Sequence, residues 1–94
     1  MSVRERRYFR VRGRVQAVGF RYFTRATAIQ LNLVGHVRNR QDGGVDLEAE
    51  GQLEGLDRLE EALRKGPPGA RVKDVFVEPR TTSGSLAEGF SIIS

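Results

Sequence analysis

The chain has 94 residues, which suits one small domain and is too short for two domains that each bury a core. Apolar residues make up 38% of it and charged residues 30%, as in globular proteins and unlike disordered or membrane proteins. No apolar run could cross a bilayer, and the charged N-terminal segment lacks the apolar core of a secretory signal. We therefore predict a single cytoplasmic domain spanning residues 1–94.

Two further bulk properties limit the kind of site. The chain has no cysteine, which excludes disulfides, zinc–cysteine sites and thiol nucleophiles. Sixteen Lys and Arg residues stand against twelve Asp and Glu, so the net charge is +4. This excess suits an anionic partner such as a small phosphate or a nucleic acid, although an ordinary solvated surface would show it as well.

The first half of the chain alternates between strand-like and helix-like patterns. Phe9 and Val11 alternate with polar neighbours, as in a strand with one buried face. From Phe20, apolar residues recur at three- and four-residue steps until Asn32, a residue that tolerates the left-handed conformation at a helix end. An Asp-Gly pair then predicts a hairpin. The strands predicted here are Arg7–Gly13, Val34–Arg40 and Val45–Glu50.

The second half completes a recognisable order of elements. Leu56, Leu59 and Leu63 form a helical stripe, which the Gly-Pro-Pro-Gly run at 66–69 ends. We then predict a strand over Arg71–Glu78, a polar loop over Thr81–Glu88 and a short strand around Phe90 and Ile92. The order β-α-β-β-α-β plus a C-terminal strand predicts an α+β, ferredoxin-like sandwich, with two helices on one face of an antiparallel sheet. Because many functions share this topology, it does not assign one.

Residues 13–21, Gly-Arg-Val-Gln-Ala-Val-Gly-Phe-Arg, form a candidate phosphate site. A small-residue loop that opens a helix leaves backbone N–H groups unpaired at the positive end of the helix dipole, an arrangement that binds phosphate. Arg21 in the first turn could donate two hydrogen bonds to phosphate oxygens. Taken alone, the segment is better explained as a plain turn with a solvated arginine. It is not a nucleotide P-loop, since Gly-Lys-Ser/Thr is missing.

Asn39 lies near the end of the second predicted strand, just before the hairpin. Its amide can both donate and accept hydrogen bonds, so it can hold a water molecule against an electrophile. The alternative is a turn-initiating asparagine, which is a common use of this residue.

Together the two segments resemble the two signatures of the acylphosphatase family. Residues 13–21 match G-x-V-Q-G-V-G/F-F-R at all but one informative position, and residues 35–45 match G-x-V-x-N-x-x-D-G-x-V. The run Gly-Pro-Pro-Gly-Ala-Arg-Val at 66–72 and the final Phe-Ser-Ile extend the resemblance over nearly the whole chain. The resemblance implies hydrolysis of small acyl phosphates to a carboxylate and inorganic phosphate, without a metal or cofactor.

The resemblance also implies a role for each site residue. Arg21 would grip the phosphoryl group, and Asn39 would orient the attacking water. The backbone of the loop would bind the phosphate through Val15, Gln16, Ala17, Val18, Gly19 and Phe20. This reaction suits a site without an acid, because the leaving carboxylate has a conjugate acid with a pKa of roughly 4. Positioning and charge stabilisation by fixed donors are then sufficient.

Two positions depart from the family pattern. Ala17 stands where the family usually has glycine, and a positive φ there would cost alanine roughly 1 kcal/mol or more. We therefore predict that Ala17 adopts an ordinary backbone conformation, or that the loop is displaced until ligand binds. His36 stands where an aromatic residue is frequent, and we predict a half-buried packing role for it and no catalytic one.

Three other functions compete with this interpretation. An RNA-binding domain of this topology displays aromatic residues on its central strands. The third strand instead offers Asp46, Glu48 and Glu50, which would repel nucleic acid and which we predict to pair with Arg10 and Arg12. A metal chaperone is excluded because there is no cysteine, and a catalytically silent family member is disfavoured because both candidate catalytic residues are present. We predict a monomer without nucleic-acid or membrane partners.

Overall fold

The computed structural model describes residues 4–81 and 88–94. Its elements are β1 (Arg4–Arg14), α1 (Phe20–Gln30), β2 (Val34–Asn39), β3 (Val45–Gln52), α2 (Leu53–Lys65), β4 (Arg71–Arg80) and β5 (Phe90–Ile92). This is the predicted order of elements, while most of the polar loop predicted for Thr81–Glu88 lies outside the described residues. No described helix has the length and apolar character needed to span a membrane.

The strands form one sheet in the order β4-β1-β3-β2-β5. The first four strands pair antiparallel with their neighbours, and in this register Leu47 of β3 lies between Phe9 of β1 and Val37 of β2. The short strand β5 adds to the edge of β2 in the parallel direction, with Phe90 beside Gly35. The predicted ferredoxin-like fold with an extra C-terminal strand is confirmed, and the extra strand makes the sheet mixed.

The hydrophobic core lies between one face of the sheet and the two helices. The period of two in the strands and the leucine stripe in α2 both turn their apolar residues to this layer. Fully buried residues include Phe9, Val11, Val45, Leu47, Ala49, Leu56, Leu59 and Leu63. This layer fixes the end of β1 against the start of α1, where the candidate site lies.

Element boundaries differ from the predictions by a few residues. The strand β1 continues through Gly13 to Arg14, because pairing with β4 continues to Arg14 opposite Arg71. A register shift between Arg12 and Gly13 bends the strand just before the candidate loop. The helix α1 is followed by Asn32 at φ 58°, in the predicted left-handed conformation. Backbone pairing extends past the apolar pattern, so hydropathy alone does not mark where these strands end.

The outer face of the sheet carries a network of ion pairs. Asp46 is only 3% exposed and accepts hydrogen bonds from Arg38, Arg40 and Tyr8. Burial would raise the pKa of the Asp46 carboxyl, but the hydrogen bonds outweigh it, so that its pKa is lowered.

The prediction that the β3 carboxylates pair with Arg10 and Arg12 is wrong. Arg12 lies beyond the end of β3, so its cross-strand neighbour is Asp74 of β4, with which it forms a two-bond ion pair. Arg10 does face Asp46 across the strands, but that carboxylate is held by other donors, and the Arg10 guanidinium lies 3.6 Å from Asp42. Which residues form ion pairs on this face therefore depends on where each strand ends and on which other donors a carboxylate already has.

The other two carboxylates of β3 also have their own partners. Glu50 accepts from Arg6 at 3.1 Å, and Glu48 lies 3.6 Å from the ring nitrogen Nε2 of His36. His36 is half-buried on this outer face, as predicted.

Candidate active site

Five residues, 15–19, connect the end of β1 to the start of α1. The side chains of Val15, the first loop residue, and Phe20, the residue after the loop, are each only 1% exposed and belong to the core. Between them Ala17 and Gly19 are exposed. The loop is therefore anchored at both ends by packing, while its middle lies at the surface, where a ligand can approach its backbone.

The backbone of the loop has two left-handed residues, Ala17 at φ 62° and Gly19 at φ 78°. The prediction that Ala17 adopts an ordinary conformation is therefore wrong; the alternative, a loop displaced until ligand binds, stays a prediction. Five residues must turn the chain from a strand into a helix, and the turn places Ala17 where glycine is normally favoured. The alanine side chain is exposed, so the cost is one of backbone strain alone.

The start of α1 is open to an anion. Its N-cap residue is Gly19, which has no side chain to accept hydrogen bonds from the first turn, and the first turn contains no acidic residue. The first N–H groups of a helix have no intrahelical acceptor, and they lie at the positive end of its dipole. This end of α1 therefore retains both its donors and its partial charge for a ligand.

Arg21 is the second residue of α1 and is half-buried. Within residues 4–81 and 88–94 it forms no ion pair and no side-chain hydrogen bond, whereas Arg12, Arg38 and Arg64 are each held by a carboxylate. Arg21 lies in the first turn of α1, beside the uncapped helix N-terminus, so its guanidinium is available to donate to two oxygens of one phosphate.

Asn39 is the last residue of β2 and is half-buried. Its backbone N–H donates to the Ser94 carbonyl at 2.8 Å, which ties it to the segment after β5. Its side-chain oxygen Oδ1 is buried and, among the described residues, has no hydrogen-bond donor. A buried acceptor without a donor costs about 1–3 kcal/mol, so a site for a small donor such as water is the natural complement of Oδ1.

The side chain of Gln16 connects the loop to the hairpin after Asn39. Its amide nitrogen Nε2 donates to the carbonyl of Arg40 at 2.7 Å and to the carbonyl of Gly44 at 2.8 Å. The sequence predicted only a backbone role for Gln16 in phosphate binding and missed this contact. No local pattern signals it, because the partners lie 24 and 28 residues away.

The hairpin that Gln16 contacts has its own hydrogen bonds. The Arg40 N–H donates to the Gly44 carbonyl at 2.8 Å, and the Gly43 N–H donates to the Arg40 carbonyl at 3.2 Å. The carboxylate of Asp42 accepts from the Gly44 N–H and from the Arg40 side chain, and these two donors lower the pKa of Asp42. The peptide that follows Asn39 is therefore held in a closed turn.

The structure thus places the predicted site residues on two segments that Gln16 joins. Loop residues 15–19 and Arg21 come from the β1–α1 connection, and Asn39 comes from the end of β2. The side chains of Val15 and Phe20 lie in the core, so only the backbone of these residues can serve a ligand. A strand, a loop whose backbone can accept an anion, and a helix on a ferredoxin-like sheet define the class of this protein as a small α+β domain with a candidate anion site.

Comparison with known proteins narrows this class. The acylphosphatase family model matches residues 7–92. An acylphosphatase of Nitratidesulfovibrio vulgaris strain DP4 is 57% identical over 88 residues, which cover 93% of this chain and 88% of that protein. An acylphosphatase of Salinibacter ruber is 48% identical over 83 residues, or 88% of this chain and 86% of the relative. Each alignment covers most of both proteins.

A solved structure agrees with these sequence relatives. The crystal structure of acylphosphatase from Bacillus subtilis superposes with a TM-score of 0.91 at 37% identity, covering 98% of this chain and all of the other. The chain belongs to the acylphosphatase family. It is accordingly a hydrolase acting on acid anhydrides.

Proposed function

We propose that this chain hydrolyses the carboxyl–phosphate bond of small acyl phosphates, with the phosphate held by the β1–α1 loop and Arg21 and the water oriented by Asn39. The observation that carries the proposal is that Arg21 has no carboxylate partner in the described part of the chain and is the second residue of a helix whose N-cap provides no capping side chain. Both features favour a bound anion.

The phosphoryl group is the part of the substrate that these groups recognise. Backbone N–H groups from the loop residues 15–20 and the two-pronged guanidinium of Arg21 can donate to its three non-bridging oxygens. Charge builds on these oxygens during phosphoryl transfer, so donors fixed in advance lower the barrier. Removal of one such donor typically lowers the rate by about 10²–10³.

Asn39 supplies the position of the nucleophile in this proposal. Its oxygen Oδ1, which has no donor among the described residues, accepts one O–H of a water molecule and directs the water oxygen at phosphorus, opposite the leaving carboxylate. The water forms the new P–O bond as the bond from phosphorus to the carboxylate oxygen breaks. The carboxylate leaves as an anion, and the protons of the water remain with inorganic phosphate and solvent.

The site needs no general acid for this reaction. The carboxylate is a stable leaving group at neutral pH, since its conjugate acid has a pKa of roughly 4. We propose that no metal or cofactor takes part, because the loop donors and Arg21 already supply the charge stabilisation. The lack of a general acid limits the substrates to phosphates with a good leaving group and excludes alkyl phosphate esters.

The outer face of the sheet supports a small-molecule substrate over RNA. Tyr8, the only aromatic residue of β1 on this face, donates to Asp46 at 2.9 Å and is covered by the Arg80 guanidinium, 4.4 Å from its ring centre. The two central strands, β1 and β3, therefore offer a base no free ring to stack on, and the neighbouring carboxylates repel phosphate. We also propose that the protein acts as a monomer in the cytoplasm.

Phosphate release from benzoyl phosphate tests the two residue roles. We expect Arg21→Ala and Asn39→Ala each to lower kcat/KM by about 10²-fold or more, because each removes a preorganised group. Arg58→Ala is the matched control, since Arg58 forms an exposed pair with Glu54 on α2. Unchanged rates in both site variants, with the proteins folded by circular dichroism, would overturn the proposed mechanism.

A further inference from the structure

We infer that Gln16 is a positioning residue, whose side chain fixes Asn39, and the water that Asn39 holds, relative to the phosphate loop. The inference rests on the proposed function and adds a residue to it. The backbone of Gln16 belongs to the loop that holds phosphate, while its side chain reaches the segment that carries the water-orienting amide. One residue thereby joins the two halves of the site.

The geometry of the contact fixes the orientation of the Gln16 amide. Both partners, the carbonyls of Arg40 and Gly44, are acceptors only, so the nitrogen of the amide and not its oxygen must face them. Both amide N–H groups are used, at distances of 2.7 and 2.8 Å. Two hydrogen bonds from the planar Gln16 amide fix both the distance and the orientation of the hairpin relative to the loop, whereas a single bond would leave the orientation free.

The two carbonyls are those that close the hairpin. Each already accepts a backbone N–H from within the turn, and a carbonyl oxygen can accept a second bond. The Arg40 carbonyl belongs to the residue directly after Asn39, so a movement of this turn moves Asn39 with it. Within the described residues, these are the only hydrogen bonds between loop residues 15–19 and hairpin residues 40–44.

The opposite side of Asn39 is also held. Its N–H donates to the Ser94 carbonyl at 2.8 Å, and the Ile93 N–H donates to the Val37 carbonyl at 3.0 Å. These bonds fix Asn39 to the edge of the sheet, but they do not fix its position relative to the phosphate loop. The side chain of Gln16 fixes this relative position. Its loss should therefore disturb the geometry between the water and phosphorus more than it disturbs phosphate binding.

A double-mutant cycle separates this role from general support of the fold. The variants are Gln16→Met, which keeps the side-chain length without donors, Asn39→Ala, and the two combined. We measure kcat and KM for benzoyl phosphate and the inhibition constant of inorganic phosphate. In the wild-type background Gln16→Met should lower kcat by about 10-fold or more, since a misplacement of about 1 Å can cost about 10² in rate. Phosphate inhibition should change by less than about threefold, because the loop and Arg21 remain.

The second background gives the decisive comparison. With Asn39 already replaced by alanine, Gln16→Met should lower kcat by less than about twofold, because the group that it positions is gone. The same 10-fold loss in both backgrounds, with Asn39→Ala itself slow, would overturn the positioning role alone. A wild-type kcat for Asn39→Ala would instead contradict the proposed function, and the positioning role with it.

Two controls keep the result interpretable. Gln30→Met makes the same chemical change at an exposed position at the end of α1 and should leave kcat unchanged. If Gln16→Met does not fold, Gln16→Asn takes its place in the cycle, because its amide is one methylene shorter and cannot reach both carbonyls in the same way. A wild-type kcat for folded Gln16→Asn and Gln16→Met would overturn the inference.

Discussion

Replacement of Ala17 by glycine should stabilise the protein. Ala17 has φ 62°, a left-handed conformation that costs a non-glycine residue about 1–2 kcal/mol. Glycine removes this cost but makes the unfolded chain more flexible, which offsets about 0.4–1 kcal/mol. Because the Ala17 side chain is exposed, no packing is lost. The net expectation is a gain of about 0.5–1 kcal/mol, or a rise in Tm of about 2–8 °C for a domain of this size.

Thermal unfolding followed by circular dichroism measures this change, and the chain offers a control of opposite sign. Ala26 is exposed in the interior of α1, where Ala→Gly should lower stability by about 1 kcal/mol. Both variants make the same Ala→Gly change at an exposed position, one in a left-handed and one in a helical backbone conformation. If Ala17→Gly lowered Tm as much as Ala26→Gly, the left-handed conformation at Ala17 and the strain derived from it would be refuted.

Two further predictions concern the core and the ion-pair network. Leu47→Ala should lower the free energy of unfolding, measured by urea titration, by about 2–5 kcal/mol, because Leu47 is fully buried at the centre of the sheet. Leu53 is partly exposed, and Leu53→Ala is the control. A loss in Leu47→Ala no larger than the loss in Leu53→Ala would contradict the packing described. The lowered pKa values of Asp42 and Asp46 mean that their stabilisation is complete above the unfolded value near 3.9 and is lost as pH falls through the lower folded values. As the pH is lowered below about 4, Tm should therefore fall, and it should fall less steeply in Asp46→Asn. A Tm that stays constant down to about pH 2 would refute this link between carboxylate ionisation and stability.

Much of the fold could be predicted because local patterns and packing agree. The alternation of Phe9 and Val11 and the leucine stripe of α2 each carry the period of the element that they form. The left-handed conformation at Asn32 followed from the tolerance of asparagine for it. These features depend on neighbours within a few residues, which is the range that periodicity reads.

The conformation of Ala17 could not be predicted in the same way. An alanine in isolation favours ordinary backbone regions, and only the demand that five residues turn a strand into a helix overrides this preference. The family pattern, with glycine at this position, held the relevant signal. The loop geometry outweighs the local preference of the residue.

The ion pairs and the Gln16 contact were missed because they depend on distant parts of the chain. Arg12 pairs with Asp74, 62 residues away, because β3 begins only at Val45, opposite Val11, and does not reach the level of Arg12. Gln16 reaches carbonyls 24 and 28 residues away, and a carbonyl is present at every position of the sequence. Such contacts follow from register and from the path of a hairpin, which the linear pattern does not specify.

Hydrolysis of benzoyl phosphate in ¹⁸O-labelled water, with a chelator present, tests the central claim most directly. If the loop and Arg21 hold the phosphoryl group while Asn39 directs water at phosphorus, enzyme-dependent turnover should place the label in inorganic phosphate and leave benzoate unlabelled. Arg21→Ala should abolish the enzyme-dependent part of the labelling. Label in the benzoate carboxyl group, or no turnover above the rate without enzyme, would contradict the account.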